Sequence, residues 1–192
     1  MTSQIISLTL KNLKKIWMLR EIPNISEQNA EFLKQLIREK NPKHLLEIGT
    51  ANGYSTLHFS TAIADTSDIT TLEQAWNMHN DAVINFKNCK IKNIHAIWWD
   101  AKLVLPKLSE NFFDFVYIDA MKKEYLQYLL LALPKMTPDA MIVIDDVEKF
   151  RDKMWDLFDY LELKKVVFRL EKTDLDDSIM ILFKKDFLSI WE

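Results

Sequence analysis

Acidic residues end five successive apolar runs of the sequence, which makes them the first candidates for chemistry. In chain order they are Glu47, Glu73, Asp100, Asp119 and the pair Asp145-Asp146. Asp119, Asp145 and Asp146 would supply carboxylate oxygens, the ligands that hard cations such as Mg²⁺, Ca²⁺ and Mn²⁺ prefer. If their runs are adjacent strands, these three residues predict a metal site. The alternative is that Asp145-Asp146 only caps the helix that follows.

The only two glycines of the chain, Gly49 and Gly53, follow the first of these runs. A chain that avoids glycine so strongly is expected to keep it where a side chain would block something, here the approach of a ligand. Ser55 then offers a hydroxyl at the N-terminus of a helix predicted at 54–64, where backbone N–H groups favour an anion such as a carboxylate. A tight strand-to-helix turn is the alternative. The dinucleotide pattern G-x-G-x-x-G is excluded, because Ala51 and Asn52 are the second and third residues after Gly49, and the pattern needs glycine where Ala51 stands.

The next two runs end in residues suited to a nucleoside. Glu73 could accept hydrogen bonds from the two hydroxyls of a ribose, although a solvated strand-end glutamate is the commoner case. Asp100 and Ala101 could line an adenine ring, because the small side chain of Ala101 lets a ring lie against the backbone.

The apolar runs alternate with stretches typical of helices, which predicts a parallel sheet with helices on both faces. Ligands bind at the carboxyl ends of the strands in such a sheet. After a predicted helix at about 147–162, the segments KKVVFRL and SIMILFKK form a final hairpin. We therefore predict an α/β fold, a Rossmann-like, doubly wound, seven-stranded and mostly parallel sheet with an antiparallel C-terminal edge strand. The first five predicted strands are 44–49, 69–73, 94–99, 113–119 and 141–145.

Length and composition favour one domain that handles a small molecule. The 192 residues are 48% hydrophobic, and we expect residues 1–40 to form a helical segment, with a helix capped by Ser26, that packs on a core of residues 41–192. The net charge is -3, and the 25 lysines and arginines are spread along the chain, so no dense basic patch is expected. tRNA is therefore possible as a partner but not indicated. The single cysteine, Cys89, predicts a core thiol. Without a signal peptide or a membrane-length run, a cytoplasmic protein with no membrane contact is expected.

Four segments together resemble the cation-dependent O-methyltransferases, the family of catechol and caffeoyl-CoA O-methyltransferases and of relatives that methylate 5-hydroxyuridine in tRNA. They are LLEIGTANGYST (45–56), TTLE (70–73), FDFVYIDAMKKEYLQYL (113–129) and MIVIDD (141–146). The arrangement D-x-x-K-x-x-Y from Asp119 through Lys122 to Tyr125, followed by the second acidic pair, is the most specific feature. The resemblance runs from about Ile22 to Lys184.

The resemblance implies an S-adenosylmethionine (SAM)-dependent, divalent-metal-assisted O-methyltransferase acting on a hydroxyl of a small, chelating, catechol-like substrate. Lys122 matches the family's catalytic lysine, a base toward the substrate hydroxyl if its neighbours keep it partly neutral. Mg²⁺ is the expected ion, with Mn²⁺ or Ca²⁺ as alternatives, and a homodimer is possible. The implied metal ligands are Asp119, Asp145 and Asp146. The implied cofactor contacts are Ile25, Glu47, Gly49, Thr50, Gly53, Ser55, Glu73, Asp100, Ala101 and Asp119.

The chain departs from the family pattern in three places. Asp146 stands where the family usually has Asn, Pro138-Asp139-Ala140 replaces Pro-Gly-Gly, and the segment after Asp146 lacks the usual Trp-and-Gly loop. Two other functions stay open. A non-catalytic binding module would not need Lys122 and the three acids. A tRNA-modifying enzyme would need a basic surface, for which the candidates are Lys11, Lys14, Lys15 and Arg20, or Lys149, Arg151 and Lys153.

Overall fold

The structure, a computed structural model, describes residues 2–20, 24–173 and 177–188. Within these ranges one sheet has seven strands in the order β3-β2-β1-β4-β5-β7-β6. Strands β1 to β5 are parallel, and β7 runs antiparallel to both β5 and β6. The predicted Rossmann-like sheet is confirmed, with β6 at the edge and the antiparallel β7 one place inside it. The strands are β1 His44–Ile48, β2 Asp68–Glu73, β3 Ile94–Trp98, β4 Phe113–Ile118, β5 Met136–Ile144, β6 Arg169–Glu171 and β7 Ile179–Phe183.

Helices cover both faces of this sheet. The core on one face includes side chains of α1 to α4, and the core on the other includes side chains of α5 to α8. Successive strand residues alternate between the two cores, as a pleated strand requires. The helices are α1 Thr2–Arg20, α2 Glu27–Lys40, α3 Tyr54–Ser60, α4 Trp76–Asn88, α5 Ala101–Val104, α6 Tyr125–Ala132, α7 Trp155–Leu163 and α8 Lys185–Leu188, with 3₁₀ turns at Leu105–Lys107, Lys122–Glu124, Leu133–Lys135 and Arg151–Met154.

The two N-terminal helices belong to the first core. Ile6 of α1 and Leu33 of α2 are buried in it, together with Cys89, the predicted core thiol. Ser26 caps α2, because its Oγ accepts a hydrogen bond from the backbone N–H of Asn29 at 3.1 Å. No helix in the described part of the chain is long and apolar enough to cross a membrane.

Both glycines lie in the turn between β1 and α3, but their missing side chains face protein. A Cβ at Gly49 would lie 1.9 Å from the backbone oxygen of Asp119, so Gly49 lets the end of β1 approach the end of β4. A Cβ at Gly53 would lie 2.6 Å from the ring of Phe86 in α4. The prediction that Gly53 makes room for a cofactor is therefore wrong, because Gly53 faces a packed aromatic ring.

The helix after β5 begins later than predicted. Residues 147–150 form a turn, and helical structure starts with the 3₁₀ turn at Arg151. Asp145 and Asp146 therefore do not cap a helix, so the alternative explanation for this acidic pair is wrong.

Replacing Gly53 with valine is expected to destabilise the fold before it affects any ligand. The backbone φ of +85° is unfavourable for a branched residue, and the new side chain would overlap Phe86. Together these effects should lower the free energy of unfolding by roughly 3 kcal/mol. Urea unfolding followed by circular dichroism measures this loss. In a Phe86→Leu background the same substitution should cost less, because the ring atoms in its way are gone. Wild-type stability of Gly53→Val would contradict this placement.

Candidate active site

A cleft of about 950 Å³ opens at the carboxyl ends of the parallel strands. It is the place where a doubly wound sheet binds ligands. Most of the residues singled out in the sequence line it: Ile25, Gly49, Thr50, Ser55, Glu73, Ala101, Asp119, Lys122, Asp145 and Asp146. Three predicted cofactor contacts do not: among the described residues, Glu47, Gly53 and Asp100 lie outside the lining.

Glu47 stabilises the turn between β1 and α3 that contains both glycines, which we call the glycine turn. Its fully buried carboxylate accepts hydrogen bonds from the hydroxyls of Ser55, Thr56 and Thr71, each at 2.5 Å. Thr50 joins the same network, with its Oγ1 2.6 Å from that of Thr71. Burial raises the pKa of Glu47 to about 7, although the three hydroxyls act in the opposite direction. The predicted direct contact of Glu47 with a cofactor is corrected, because Glu47 positions the turn that would make the contact.

Glu73 is the acid that the backbone fixes at the cleft. One carboxylate oxygen accepts from the N–H of Ala51 at 2.9 Å, and the other accepts from the N–H of Ala75 at 2.8 Å. These bonds orient the carboxylate while it lines the cleft, and each oxygen keeps a lone pair for a further donor.

Asp100 has a different role from the one predicted. Its carboxylate caps α5 by accepting from the N–H of Lys102 at 2.8 Å, and its other oxygen lies 3.7 Å from the ammonium of Lys102. The neighbours Trp99 and Ala101 line the cleft instead. Asp100 acts as a helix cap outside the described cleft lining, so the structure gives no support to the predicted cofactor contact.

Lys122 and three aspartates form what we call the acid–lysine cluster: Asp119, Lys122, Asp145 and Asp146. β4 and β5 are adjacent, so the three aspartates lie at one edge of the sheet, and their binding of a metal ion stays a prediction. The Lys122 ammonium lies 2.6 Å from Asp119, 2.7 Å from Asp146 and 2.6 Å from the hydroxyl of Tyr125.

The cluster keeps Lys122 charged. Burial lowers the pKa of its ammonium, but the carboxylates of Asp119 and Asp146 outweigh burial, and the pKa is raised above its ordinary value. A general base must have a free lone pair. In this arrangement Lys122 is a hydrogen-bond donor, which corrects the expectation that its neighbours keep it partly neutral.

Asp145 is the buried member of the cluster. It accepts hydrogen bonds from the hydroxyl of Tyr117 at 2.6 Å, from the N–H of Asp146 at 2.9 Å and from the side-chain amide of Asn29 at 3.4 Å. Burial and the charges of Asp119 and Asp146 raise its pKa to about 8. Within the described ranges, no group of three or more His, Cys, Asp or Glu is arranged so that it could hold a metal ion.

Comparison with known proteins assigns the chain to a family. The model of a family described as O-methyltransferase matches residues 2–174. The chain belongs to this O-methyltransferase family. A catechol O-methyltransferase of Mycobacterium tuberculosis is 30% identical over 130 residues, which cover 66% of this chain and 59% of that protein. The chain thus spans about three-fifths of the length of this curated relative.

Solved structures share the fold of the family. A putative caffeoyl-CoA O-methyltransferase of Staphylococcus aureus has a TM-score of 0.81 and 22% identity, covering 95% of this chain and 98% of that one. An O-methyltransferase of Streptomyces achromogenes, solved in complex with SAM, has a TM-score of 0.79 and 20% identity, covering 91% of this chain and 89% of that one. These neighbours show the Rossmann-like fold.

Asn29 and Asp177 are among the cleft residues that the sequence analysis did not predict. Asn29 is a buried amide on the apolar side of α2, and its position between buried apolar residues was the available signal. Asp177 precedes β7 and accepts from the N–H groups of Glu148, Lys149 and Ser178. Because β7 runs antiparallel to its neighbours, its first residues lie at the cleft edge. The predicted hairpin was therefore the feature from which the position of Asp177 could have been predicted.

Replacing Glu47 with glutamine is expected to change the pH dependence of stability. The pKa of about 7 in the folded protein exceeds the ordinary 4.5, so folding favours the protonated carboxyl. The stability it contributes is fully present below about pH 4.5 and is lost as pH rises through about 7. The loss should amount to roughly 1–3 kcal/mol. Urea unfolding between pH 5 and 8 should show this decline in wild type and a smaller one in Glu47→Gln.

The control is Glu31→Gln on the surface of α2. A hydrogen bond from Lys34 lowers the pKa of Glu31, so its contribution is lost as pH falls. Identical pH slopes for wild type and Glu47→Gln would contradict the assignment of the decline to Glu47.

Proposed function

We propose that this chain is a SAM-dependent O-methyltransferase that acts, with a divalent metal, on a hydroxyl of a small chelating substrate. One observation carries the proposal: a single cleft joins Glu73 and the glycine turn to the acid–lysine cluster. The family supports methyl transfer to oxygen, and the relative named for catechol supports a substrate with two adjacent oxygens.

The glycine-turn side of the cleft would bind the cofactor. Glu73, held by two backbone N–H groups, would accept the ribose hydroxyls. Ala101 would contact the adenine ring. Ile25 would contact the cofactor from the N-terminal side of the cleft. Ser55 lines the cleft next to the turn, where the cofactor carboxylate would lie, and its hydroxyl is already donated to Glu47.

The cluster side of the cleft would hold the acceptor. Three carboxyl groups lie there with one ammonium, and burial and mutual repulsion raise the pKa of Asp145. A divalent cation would offset this repulsion, and carboxylate oxygens are its preferred ligands. For Asp119, Asp145 and Asp146 to hold the ion, the Lys122 ammonium would have to move from its position between Asp119 and Asp146. Mg²⁺ is the expected ion, with Mn²⁺ or Ca²⁺ as alternatives. When bound, such an ion lowers the pKa of a substrate hydroxyl.

Lys122 would act on the acceptor oxygen by charge. Its ammonium is buried, paired with Asp119 and Asp146, and lines the cleft. The proton of the substrate hydroxyl would pass to solvent through the open cleft, and a charged donor aimed at the oxygen stabilises the negative charge that develops there. Asn29 and Tyr117 would keep Asp145 in place during this step, because both donate to its carboxylate.

A small molecule fits the chain better than tRNA does. The cleft volume of about 950 Å³ lies in the range of small-molecule sites. Of the basic residues considered for tRNA, Lys14 pairs with Glu27 at 2.7 Å, and the guanidinium of Arg151 lies 3.8 Å from the ring centroid of Phe158. The ion pair with Glu27 offsets the charge of Lys14, one of the residues that phosphate binding would need.

Transfer of a labelled methyl group from SAM to catechol tests the proposal, with unmodified and hydroxylated tRNA as the competing acceptors. We expect transfer to catechol that stops with EDTA and returns with Mg²⁺. Transfer to hydroxylated tRNA alone would replace the proposed substrate. Transfer to catechol that EDTA does not affect would contradict the role of the metal while leaving the methyltransferase activity in place.

A matched pair of substitutions locates the metal within this assay. Asp145→Asn and Asp146→Asn each replace a carboxyl group with an amide at nearly constant size. Asp145→Asn should lower turnover on the order of 100-fold, because it removes the buried carboxylate. Asp146→Asn restores the family residue at a φ of 60°, which Asn adopts readily. It should weaken Mn²⁺ binding, followed by electron paramagnetic resonance, only modestly while turnover holds or improves. Equal losses in both variants would contradict this division.

Glu73→Gln is expected to weaken binding of S-adenosylhomocysteine (SAH), the demethylated product of SAM. One of the two carboxylate oxygens becomes an amide that cannot accept, which should cost about 1–3 kcal/mol in calorimetric titration. Asp100→Asn is the matched control, because its carboxylate faces Lys102 rather than the cleft. Its SAH affinity should stay at the wild-type level. Equal losses in the two variants would show that Asp100, too, contacts the cofactor.

A further inference from the structure

The turn at residues 147–150 carries a lysine whose backbone is firmly anchored. The N–H groups of Glu148 and Lys149 donate to one oxygen of Asp177 at 2.9 and 3.1 Å, and the N–H of Val147 donates to the carbonyl of Ser178 at 3.2 Å. The hydroxyl of Ser178 in turn donates to the side chain of Glu148 at 2.5 Å. The base of the Lys149 side chain is therefore fixed at the rim of the cleft.

Lys149 and Lys122, the two lysines in the described lining of the cleft, differ in their ion pairs. Lys122 is paired with Asp119 and Asp146. Lys149 also lines the cleft but is exposed, and in the described part of the chain its ammonium has no acidic partner. Its contact is the ring of Phe150, 5.6 Å from the ammonium to the centroid. Among the described residues, none compensates the charge of Lys149 at the cleft.

Phe150 places this charge beside the acid–lysine cluster. Its ring centroid lies 5.7 Å from the Lys122 ammonium as well as 5.6 Å from that of Lys149. A substrate ring packed against Phe150 would therefore have the cluster on one side and Lys149 on the exposed side. Its two adjacent oxygens would face the cluster, and a substituent on the ring would face Lys149.

We infer that Lys149 recognises a carboxylate on the substrate, which makes the substrate class aromatic vicinal diols that bear a carboxylate. This inference rests on the proposed function. An ammonium opposite a carboxylate forms a charge-assisted hydrogen bond, stronger than a neutral one. A single lysine suits a carboxylate better than a phosphate, because phosphate sites combine several backbone and side-chain donors.

Lys153 provides a matched control for Lys149. Its ammonium lies 4.7 Å from the centroid of the same Phe150 ring. It lines a separate surface pocket with Lys123, Asp152 and others, outside the main cleft. Removing Lys153 therefore changes the net charge and the Phe150 contact in the same way, but removes no charge from the cleft lining.

The experiment compares 3,4-dihydroxybenzoate with catechol as acceptors for wild type, Lys149→Gln and Lys153→Gln. In wild type, KM should be about tenfold lower for the carboxylated acceptor. Lys149→Gln should remove this preference by raising KM for dihydroxybenzoate alone, with kcat within about twofold. Lys153→Gln should keep the wild-type preference. Calorimetric titration of both compounds into SAH-loaded protein runs in parallel.

The two readouts separate this inference from the proposed function. If catechol is methylated but the carboxylate gives no preference, or if Lys153→Gln loses the preference equally, the inference is wrong and the proposed function stands. If neither compound is methylated, the proposed function fails and the titration decides. Tighter binding of dihydroxybenzoate that only Lys149→Gln abolishes would then support the carboxylate site. Equal binding of the two compounds, or no binding, would overturn it.

Discussion

The close approach of two backbones, at Gly49 and Asp119, is the constraint on which the cleft depends. The position of a Gly49 side chain is taken by the Asp119 carbonyl, and the Asp119 N–H donates to Ile48 at 2.9 Å. The glycine turn and Glu73 lie on one side of this contact, and the acid–lysine cluster lies on the other. Any side chain at Gly49 would push the ends of β1 and β4 apart. One backbone contact therefore sets the spacing between the two halves of the cleft, and methyl transfer is sensitive to such spacing because donor and acceptor must lie in line.

The acids at the strand ends look alike in the sequence, but their neighbours give them different roles. Hydroxyl groups surround Glu47 and make it a support for the turn. Backbone N–H groups orient Glu73 toward the cleft without neutralising it. An ammonium joins Asp119 to Asp146, whereas Asp145 is buried against a phenol and an amide. The chemistry available at each acid follows from the donor it meets, because the donor decides whether the charge is compensated, shared or left for a ligand.

The sequence was sufficient to predict the sheet and the cluster, since both follow from periodicity. Short apolar runs separated by helices predict parallel strands, and parallel strands bring Asp119 and Asp145 to one edge. Periodicity does not determine which group a single residue faces, and the prediction for Gly53 was wrong for this reason. Gly53 faces Phe86 of a later helix, and Asp100 turns to cap α5. Asp177 was missed because its place depends on the direction of β7 rather than on any motif of its own.

The first two helices form one wall of the cleft, with Trp17 and Ile25 in its lining and Asn29 bonded to Asp145. Docking of these helices and occupation of the cleft are therefore coupled equilibria. A ligand that touches this wall adds to the free energy that keeps the helices docked, and any change that loosens them weakens ligand affinity by the same factor. The affinity of the site is thus a property of the whole chain, including a helical segment that precedes every acid at the strand ends.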